Sequence, residues 1–304
     1  MSKTRYNLDL VFANIFFGAN FSFYVSLTRN YLDFQQIFML QVLSGAIFFI
    51  PFALFSKQSF RIRWRDAGNI LVVTMLIVYG WMYMLLWGSS YTSPIDASIV
   101  TTTLPIVTMI VAAIYLKEPV TNKKVLGIFV GAMGAFILIM SSQTTGAGNG
   151  SLIGDLLCLL AQISFSIYLT VFKGLSQKYS PITLNKWMFV YASMCYIPFS
   201  YHDVAAIQWS EISTAALLQA GYVVVGGSFL AYIFIMSAQR LLRPTVVSMY
   251  NYMQPIVAST VAIILGLGVF NLEKGIAIAL VFLGVYIVTQ SKSRKDFEKE
   301  GKAV

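Results

Sequence analysis

Two stretches decide the fold: PIDASIVTTTLPIV at residues 94–107 and PTVVSMYNYMQPIV at residues 244–257. Each opens on a proline, places a second proline eleven residues on, and continues Ile-Val. They stand 150 residues apart in a chain of 304. The same shift maps Gly134 onto Gly284, and a shift of 147 maps Ile50-Pro51-Phe52 onto Ile197-Pro198-Phe199. A unit of about half the chain is therefore duplicated, and its prolines sit inside apolar runs.

Outward from these stretches the whole chain is apolar: 58% of residues are hydrophobic, 11% are charged, and the mean hydropathy is +0.73. Soluble domains carry roughly 25% charged residues. A bilayer-crossing helix needs about 20 mostly apolar residues. Ten such spans are read at 8–28, 34–56, 67–88, 94–116, 123–141, 152–174, 182–200, 212–238, 244–266 and 274–291. Polar punctuation separates them, most clearly at Lys57–Asp66, Thr144–Gly150 and Tyr201–Glu211. The short basic N-terminus runs straight into an apolar segment and reads as an uncleaved first helix. The fold class expected is all-α integral membrane. Residues 8–141 form one five-helix repeat, 152–291 a second, inverted one, and 292–304 a cytoplasmic tail.

With the N-terminus inside, 19 of the 21 Lys and Arg residues fall in inside segments, and only Arg29 and Lys274 fall outside. The positive-inside rule then places both termini in the cytoplasm of a bacterial-type inner membrane. The net charge of +9 is spent on helix ends rather than on one soluble face, so it does not describe a nucleic-acid binder. Five helices per half is an odd number, so the second half inserts upside down. Inverted repeats are the architecture of many secondary transporters.

Proline removes its own N–H and clashes with the carbonyl four residues back. Pro105 and Pro255 are therefore expected to bend the fourth and ninth spans, freeing the carbonyls of Thr101 and Asn251 near mid-membrane. Such backbone is tolerated only when buried in protein or lining a wet cavity. Thr101, Thr102, Asn251 and Gln254 are candidate substrate contacts on this reasoning. The alternative is a kinked helix whose threonines satisfy its own carbonyls. Asn20 and Gln162 carry amides too costly to leave in lipid, so they face inward, either to a substrate or to another helix. Tyr79 and Tyr83 share a helix face. With Tyr168 they complete the candidate set, although many Tyr and Trp residues serve as interfacial anchors. Gln41, Ser44, Ser164, Ser166, Trp81 and Tyr232 are further polar or aromatic groups inside spans. Gly127 and Gly131 form a GxxxG suited to close helix packing, within the fold or in a dimer.

No Asp, Glu, Lys, Arg or His falls at mid-span. Ion-driven pumps place an ionisable group in the path, so a neutral or zwitterionic solute is expected, with Asp96 as the only candidate proton carrier. Cys158 and Cys195 lie in apolar runs and His202 lacks ligand-spaced companions, so no metal or cofactor is expected.

Phe17-Gly18-Ala19-Asn20-Phe21 resembles the W-G-x-N-F of the drug/metabolite transporter superfamily, EamA type. So does the order Pro105, Leu116-Lys117-Glu118-Pro119, Gly127, Gly134, echoed by Ser164-Phe165-Ser166-Ile167-Tyr168, Pro244, Pro255 and Gly284. The resemblance covers residues 8–290 and implies a ten-helix carrier, with export of amino acids or similar metabolites as the favoured activity. Two departures stand out. Gly268 occupies the place of Glu118 in the second half, and Gln41 stands where the family often has arginine. The partners expected are a small-molecule substrate and the lipid bilayer, with no nucleic acid, and a monomer or homodimer. A gated channel or lipid-linked-sugar translocator on the same fold is the alternative. A membrane enzyme would need paired carboxylates, a nucleophile–base dyad or a metal cluster, and the spans and short loops offer none.

Overall fold

The computed structural model describes residues 3–55, 61–92, 94–141, 151–264 and 270–292. The expected linker Thr144–Gly150, the tail beyond Lys292, Gly268 and residues 56–60 lie outside the described residues. Among those described, every regular element is helical, and the helices make ten passages. The first five are Lys3–Asn30, Phe34–Phe55, Trp64–Tyr91, the pair Pro94–Thr101 and Leu104–Tyr115, and Asn122–Ser141. The second five are Leu152–Val171, Pro181–Ala205, Thr214–Gln239, the broken passage 244–264, and Leu272–Thr289. Eight passages are long and apolar enough to cross a membrane by composition alone. The other two are the seventh, which carries Asn185, Lys186 and His202, and the ninth, which is divided in its middle.

Contacts at the helix ends show the inversion. Asp9 in the first span accepts a hydrogen bond from Ser237 at the end of the eighth, and Arg243 donates to Ser291 after the tenth. The two ends of the described chain therefore lie at one face, called here the basic face. Asp66, opening the third span, lies there too, paired with Lys178. At the far face Thr92, closing the third span, donates to Asp155, which opens the sixth. The first span thus leaves from the basic face and the sixth from the far one.

The duplication extends to the irregularities. The third span is π-helical over Met75–Tyr83 and the eighth over Val223–Leu230, positions related by a shift of 147 to 148. The fourth span breaks at Thr102–Thr103, directly before Leu104-Pro105, and the ninth turns 3-10 over Tyr250–Tyr252 before Pro255. The fifth and tenth spans are clamped together. A Cβ on Gly127 would sit 2.9 Å from the Gly284 carbonyl, and one on Gly284 would sit 2.6 Å from the Gly127 carbonyl. The GxxxG is thus used within the fold, where small residues let backbones meet.

Some boundaries differ from the sequence reading. The sixth helix ends at Val171, where Phe172 leaves helical geometry (φ −97°, ψ 13°), and residues Lys173–Lys178 form a separate short helix. The seventh runs on to Ala205 past Pro198, with a kink at Ser200 (φ −134°). Ser180 and Ser213 start the seventh and eighth helices by accepting the N–H groups of Thr183 and Ala216, which satisfies otherwise orphaned donors.

Candidate functional site

Between the halves lies a narrow cavity of about 50 Å³. The first span gives it Phe17, Asn20, Phe21 and Tyr24, the second Gln41, and the third Trp81, Met82, Leu85, Leu86 and Ser89. The second half contributes Gly227 and Tyr232 from the eighth span and Gln254 from the ninth. None of the described residues lining it is charged. Phe17 meets Trp81 and Tyr232 edge-on at 5.4 and 5.8 Å, so the wall is a set of interlocked rings. Tyr24 donates its hydroxyl to the Leu86 carbonyl at 2.9 Å and Tyr232 contacts the Met82 sulfur at 3.4 Å.

Two amides and the Ser89 hydroxyl are the exceptions to this saturation. Asn20 Oδ1 and Gln41 Oε1 are enclosed and have no hydrogen-bond partner. An unmade bond of this kind costs about 1–3 kcal/mol. Gln254, by contrast, donates to Asn14 Oδ1 at 3.1 Å, and Asn14 donates to the Leu10 carbonyl at 2.8 Å. The first and ninth spans can come this close because position 18 is glycine: a Cβ there would stand 2.8 Å from the Gln254 carbonyl.

The π-helical segments explain where the unpaired Asn20 amide sits. A π turn misaligns the regular ladder, and such turns recur at functional sites. In the third span Ser164 of the sixth span donates to the Leu76 carbonyl at 2.8 Å, its Oγ pressed against Gly80. In the eighth span the equivalent carbonyl, Val223, accepts from Ser228 of its own helix at 3.4 Å. The equivalent glycine, Gly227, is met by Asn20 Oδ1. Asn20 thus occupies for the second half the place that Ser164 holds for the first, but with its oxygen unpaired.

Of the sequence candidates, the structure brings Asn20 and Gln254 to the cavity. Thr101, Thr102 and Thr103 donate their hydroxyls to the carbonyls of Ser98, Ile99 and Val100, each three residues back, at 2.6–2.8 Å. They satisfy their own helix and do not line this cavity. Asn251 lies half-buried in the 3-10 turn outside the lining set. Gln162 is buried and directs its amide to the Cys158 carbonyl at 3.4 Å. Tyr79 donates to the Ala192 carbonyl at 2.7 Å. With Tyr83 it belongs to a second aromatic group around Phe38 and Tyr196. Tyr168 is enclosed toward the basic face, stacked on Phe165. Phe17, Phe21, Tyr24 and Gly227 were not singled out as contacts by sequence. Asn20 between two phenylalanines was the available signal for the first-span face, whereas nothing local marks Gly227.

The two faces differ. At the basic face Glu118 is held by Lys124 at 3.2 Å and, across the halves, by Arg243 at 3.6 Å and the Thr245 hydroxyl at 3.1 Å. Asp66 pairs with Lys178 and accepts from Tyr179. At the far face a polar vestibule of about 440 Å³ opens between residues 28–36 and 206–212.

The fold and this cavity define a membrane transporter built from two inverted repeats. The chain belongs to the EamA-like transporter family, whose model matches residues 6–140 and again 152–290. It is 25% identical over 232 residues to an uncharacterized transporter of Archaeoglobus fulgidus, covering 76% of this chain and 81% of the relative. It is 22% identical to the uncharacterized transporter YyaM of Bacillus subtilis, over 73% of this chain and 72% of the relative. A solved crystal structure with 15% sequence identity shares the fold, with a TM-score of 0.75 over 95% of this chain and 98% of that one.

Proposed function

We propose that the protein is a secondary carrier that moves a small neutral or zwitterionic amphipathic metabolite by alternating access, with amino acids and similar solutes as the favoured class and export as the direction. The single observation that carries this reading is the pair of enclosed, unpaired amides, Asn20 and Gln41, in an uncharged aromatic cavity at the meeting of the halves. A passenger with both hydrogen-bonding ends and an apolar body supplies the missing partners, and the rings cover the rest of it. A full ion would find no counter-charge there. Asn20, Gln41 and Gln254 hold the polar end, while Phe17, Trp81 and Tyr232 hold the apolar one.

The cavity volume fits a contracted conformer. Small-molecule sites span about 300–1,000 Å³, while 50 Å³ accommodates only water. Loading therefore requires the halves to separate, which the matching irregularities in both halves permit. The ion pairs of the basic face and the open vestibule of the far face suit the far-side-open half of such a cycle, and the order favoured is loading from the basic side and release at the far one. On the positive-inside rule the basic face is cytoplasmic, which makes this order export; the membrane proposed is the bacterial inner membrane. The protein acts as a monomer or a homodimer.

The test is counterflow in proteoliposomes loaded with a panel of amino acids, nucleosides and sugars. Saturable exchange of at least one solute is expected, with Asn20→Leu lowering it about tenfold or more while the protein remains folded. Electrical conductance, lipid scrambling, or no exchange of any solute would each defeat the proposal.

A further inference from the structure

Under the basic face lies a second group of unsatisfied polar atoms that the cavity does not use. The Tyr168 hydroxyl, the Ser176 hydroxyl and both amide atoms of Gln239 are enclosed without hydrogen-bond partners. Tyr168 and Gln239 have no exposed surface and Ser176 has 2%. Ser176 and Gln239 face the Tyr168 hydroxyl closely enough to interact with it, but none of these contacts reaches full hydrogen-bond geometry. At the same end of the bundle, Asn185 in the second turn of the seventh helix is also fully enclosed with both amide atoms unpaired. Buried polar groups in folded proteins are paired almost without exception, and each unpaired one calls for a physical account.

Aromatic rings connect this group to the central cavity. Trp81 in the cavity wall stacks on Phe165 at 4.4 Å, and Phe165 stacks on Tyr168 at 6.1 Å. Each ring passes an apolar body to the next, and the chain of rings ends at the unpaired hydroxyls and amide.

The short helix Lys173–Lys178 covers the group. Its inner side supplies Leu175 and Ser176, both buried. Its other residues hold it to neighbouring elements. Lys173 donates to the Leu242 carbonyl at 2.8 Å, Gln177 donates to the Arg240 carbonyl at 3.1 Å, and Lys178 pairs with Asp66. Tyr179, just beyond, also donates to Asp66 and accepts from the Arg63 N–H. The helix is thus fastened to the third span and to the loop between the eighth and ninth spans by contacts near the surface, with Leu175 inside it and Phe172 and Tyr179 at its two ends packed against the core.

We propose that Tyr168, Ser176 and Gln239 form a second polar station for the passenger on the basic-face route, and that the Lys173–Lys178 helix is the lid that closes it. The station takes the donor and acceptor end of the same amphipathic solute class, so the inference rests on the carrier reading above. Lifting the lid exposes the polar atoms to water, and a passenger moves from them along the rings to Asn20 and Gln41.

Two experiments test this, and the first needs no substrate. In a Cys158→Ser, Cys195→Ser background, Gln239→Cys is exposed to a membrane-impermeant maleimide from the basic side. Slow labelling is expected, about tenfold faster when Asp66→Asn removes the charge-assisted latch. Equal rates, or none in either protein, would overturn the lid. In the second, Tyr168→Phe and Gln239→Leu are expected to keep or raise the unfolding temperature while slowing counterflow severalfold. A fall in unfolding temperature with unchanged flux per folded molecule would show ordinary structural hydrogen bonding and overturn the station. If no solute exchanges in any variant, the carrier reading fails, and the labelling rates still report on the lid separately.

Discussion

The third and eighth spans carry the same backbone defect and use it in opposite ways. Both are π-helical at equivalent positions, both place a glycine there, and both glycines receive a polar side chain from the first helix of a half. At Gly80 the visitor is Ser164, whose hydroxyl closes on the Leu76 carbonyl. At Gly227 the visitor is Asn20, and the carbonyl equivalent to Leu76 has already been served by Ser228. The first defect is therefore plugged and the second leaves an amide open at the cavity wall. On the carrier proposal, the duplicated scaffold would supply the two alternating arrangements, and this one departure from the duplication would supply the group that binds the passenger.

The largest expected effect comes from another departure, Glu118, whose counterpart by the repeat is Gly268. Lys124 is 1% exposed and depends on this carboxylate, as does Arg243 from the other half. Glu118→Gln leaves a buried cation without its counter-charge, a loss of about 3–5 kcal/mol when a buried pair is broken. A marked fall in unfolding temperature in detergent is expected. Adding Lys124→Met should recover much of it, because removing both charges can be neutral or better. If Glu118→Gln alone is harmless, the clamp is not what holds the basic face shut.

Next comes the exchange at the two defects. Ser164→Ala strands the Leu76 carbonyl and should cost about 1–3 kcal/mol of stability, with flux per folded molecule nearly unchanged. Asn20→Leu removes an atom that has no partner in this conformer, so stability should hold or rise. Its flux should fall about tenfold or more, the value of one lost polar contact to the passenger. Thermal unfolding and counterflow measured on both variants would reveal the crossed pattern. Parallel losses in both would mean that the two defects serve one structural purpose.

Gly227→Ala sharpens the same point. The new methyl meets the Asn20 amide, and overpacking in a filled core costs about 1–3 kcal/mol. Here the amide borders a cavity and can swing into it, so the expected stability loss lies at the low end of that range. Substrate affinity should fall. Gly80→Ala, facing Ser164 with no such space, should cost more in stability, which denaturation of the two proteins side by side would show.

The sequence made the scaffold plain because lipid enforces it. Every apolar run had to be a helix, and the proline pairs announced two matching breaks, which appear at Thr102–Thr103 and Tyr250–Tyr252. The chemistry was harder to read. Asn20 was legible as an amide too costly for lipid and Gln254 from its place before Pro255, but Gln162 obeys the first argument as well and spends its amide on its own helix. Helical rotation decides between these outcomes, and near-continuous apolar runs carry no period from which to read it. The π turns escaped notice for the same reason, since nothing in Met75–Tyr83 breaks the apolar pattern. The sequence reading carries the sixth span to residue 174 and leaves 175–181 as a connection, because Phe172, where the chain turns, is itself apolar and nothing marks Lys173–Lys178 as a separate helix.

The smallest expected effect concerns the fourth span against the ninth. Gln254 reaches across to Asn14 and borders the cavity, while Thr101 and Thr102 spend their hydroxyls within their own turn. Thr102→Val keeps the shape and removes one local hydrogen bond, worth about 0.6 kcal/mol in membrane helices. Little change is expected in unfolding temperature or counterflow, whereas Gln254→Leu should slow exchange. A Thr102→Val protein that folds normally but carries nothing would show that the fourth span turns its threonines inward in the state opposite to this one. The asymmetry between the halves would then belong to one conformer, with each half supplying the binding group in its turn.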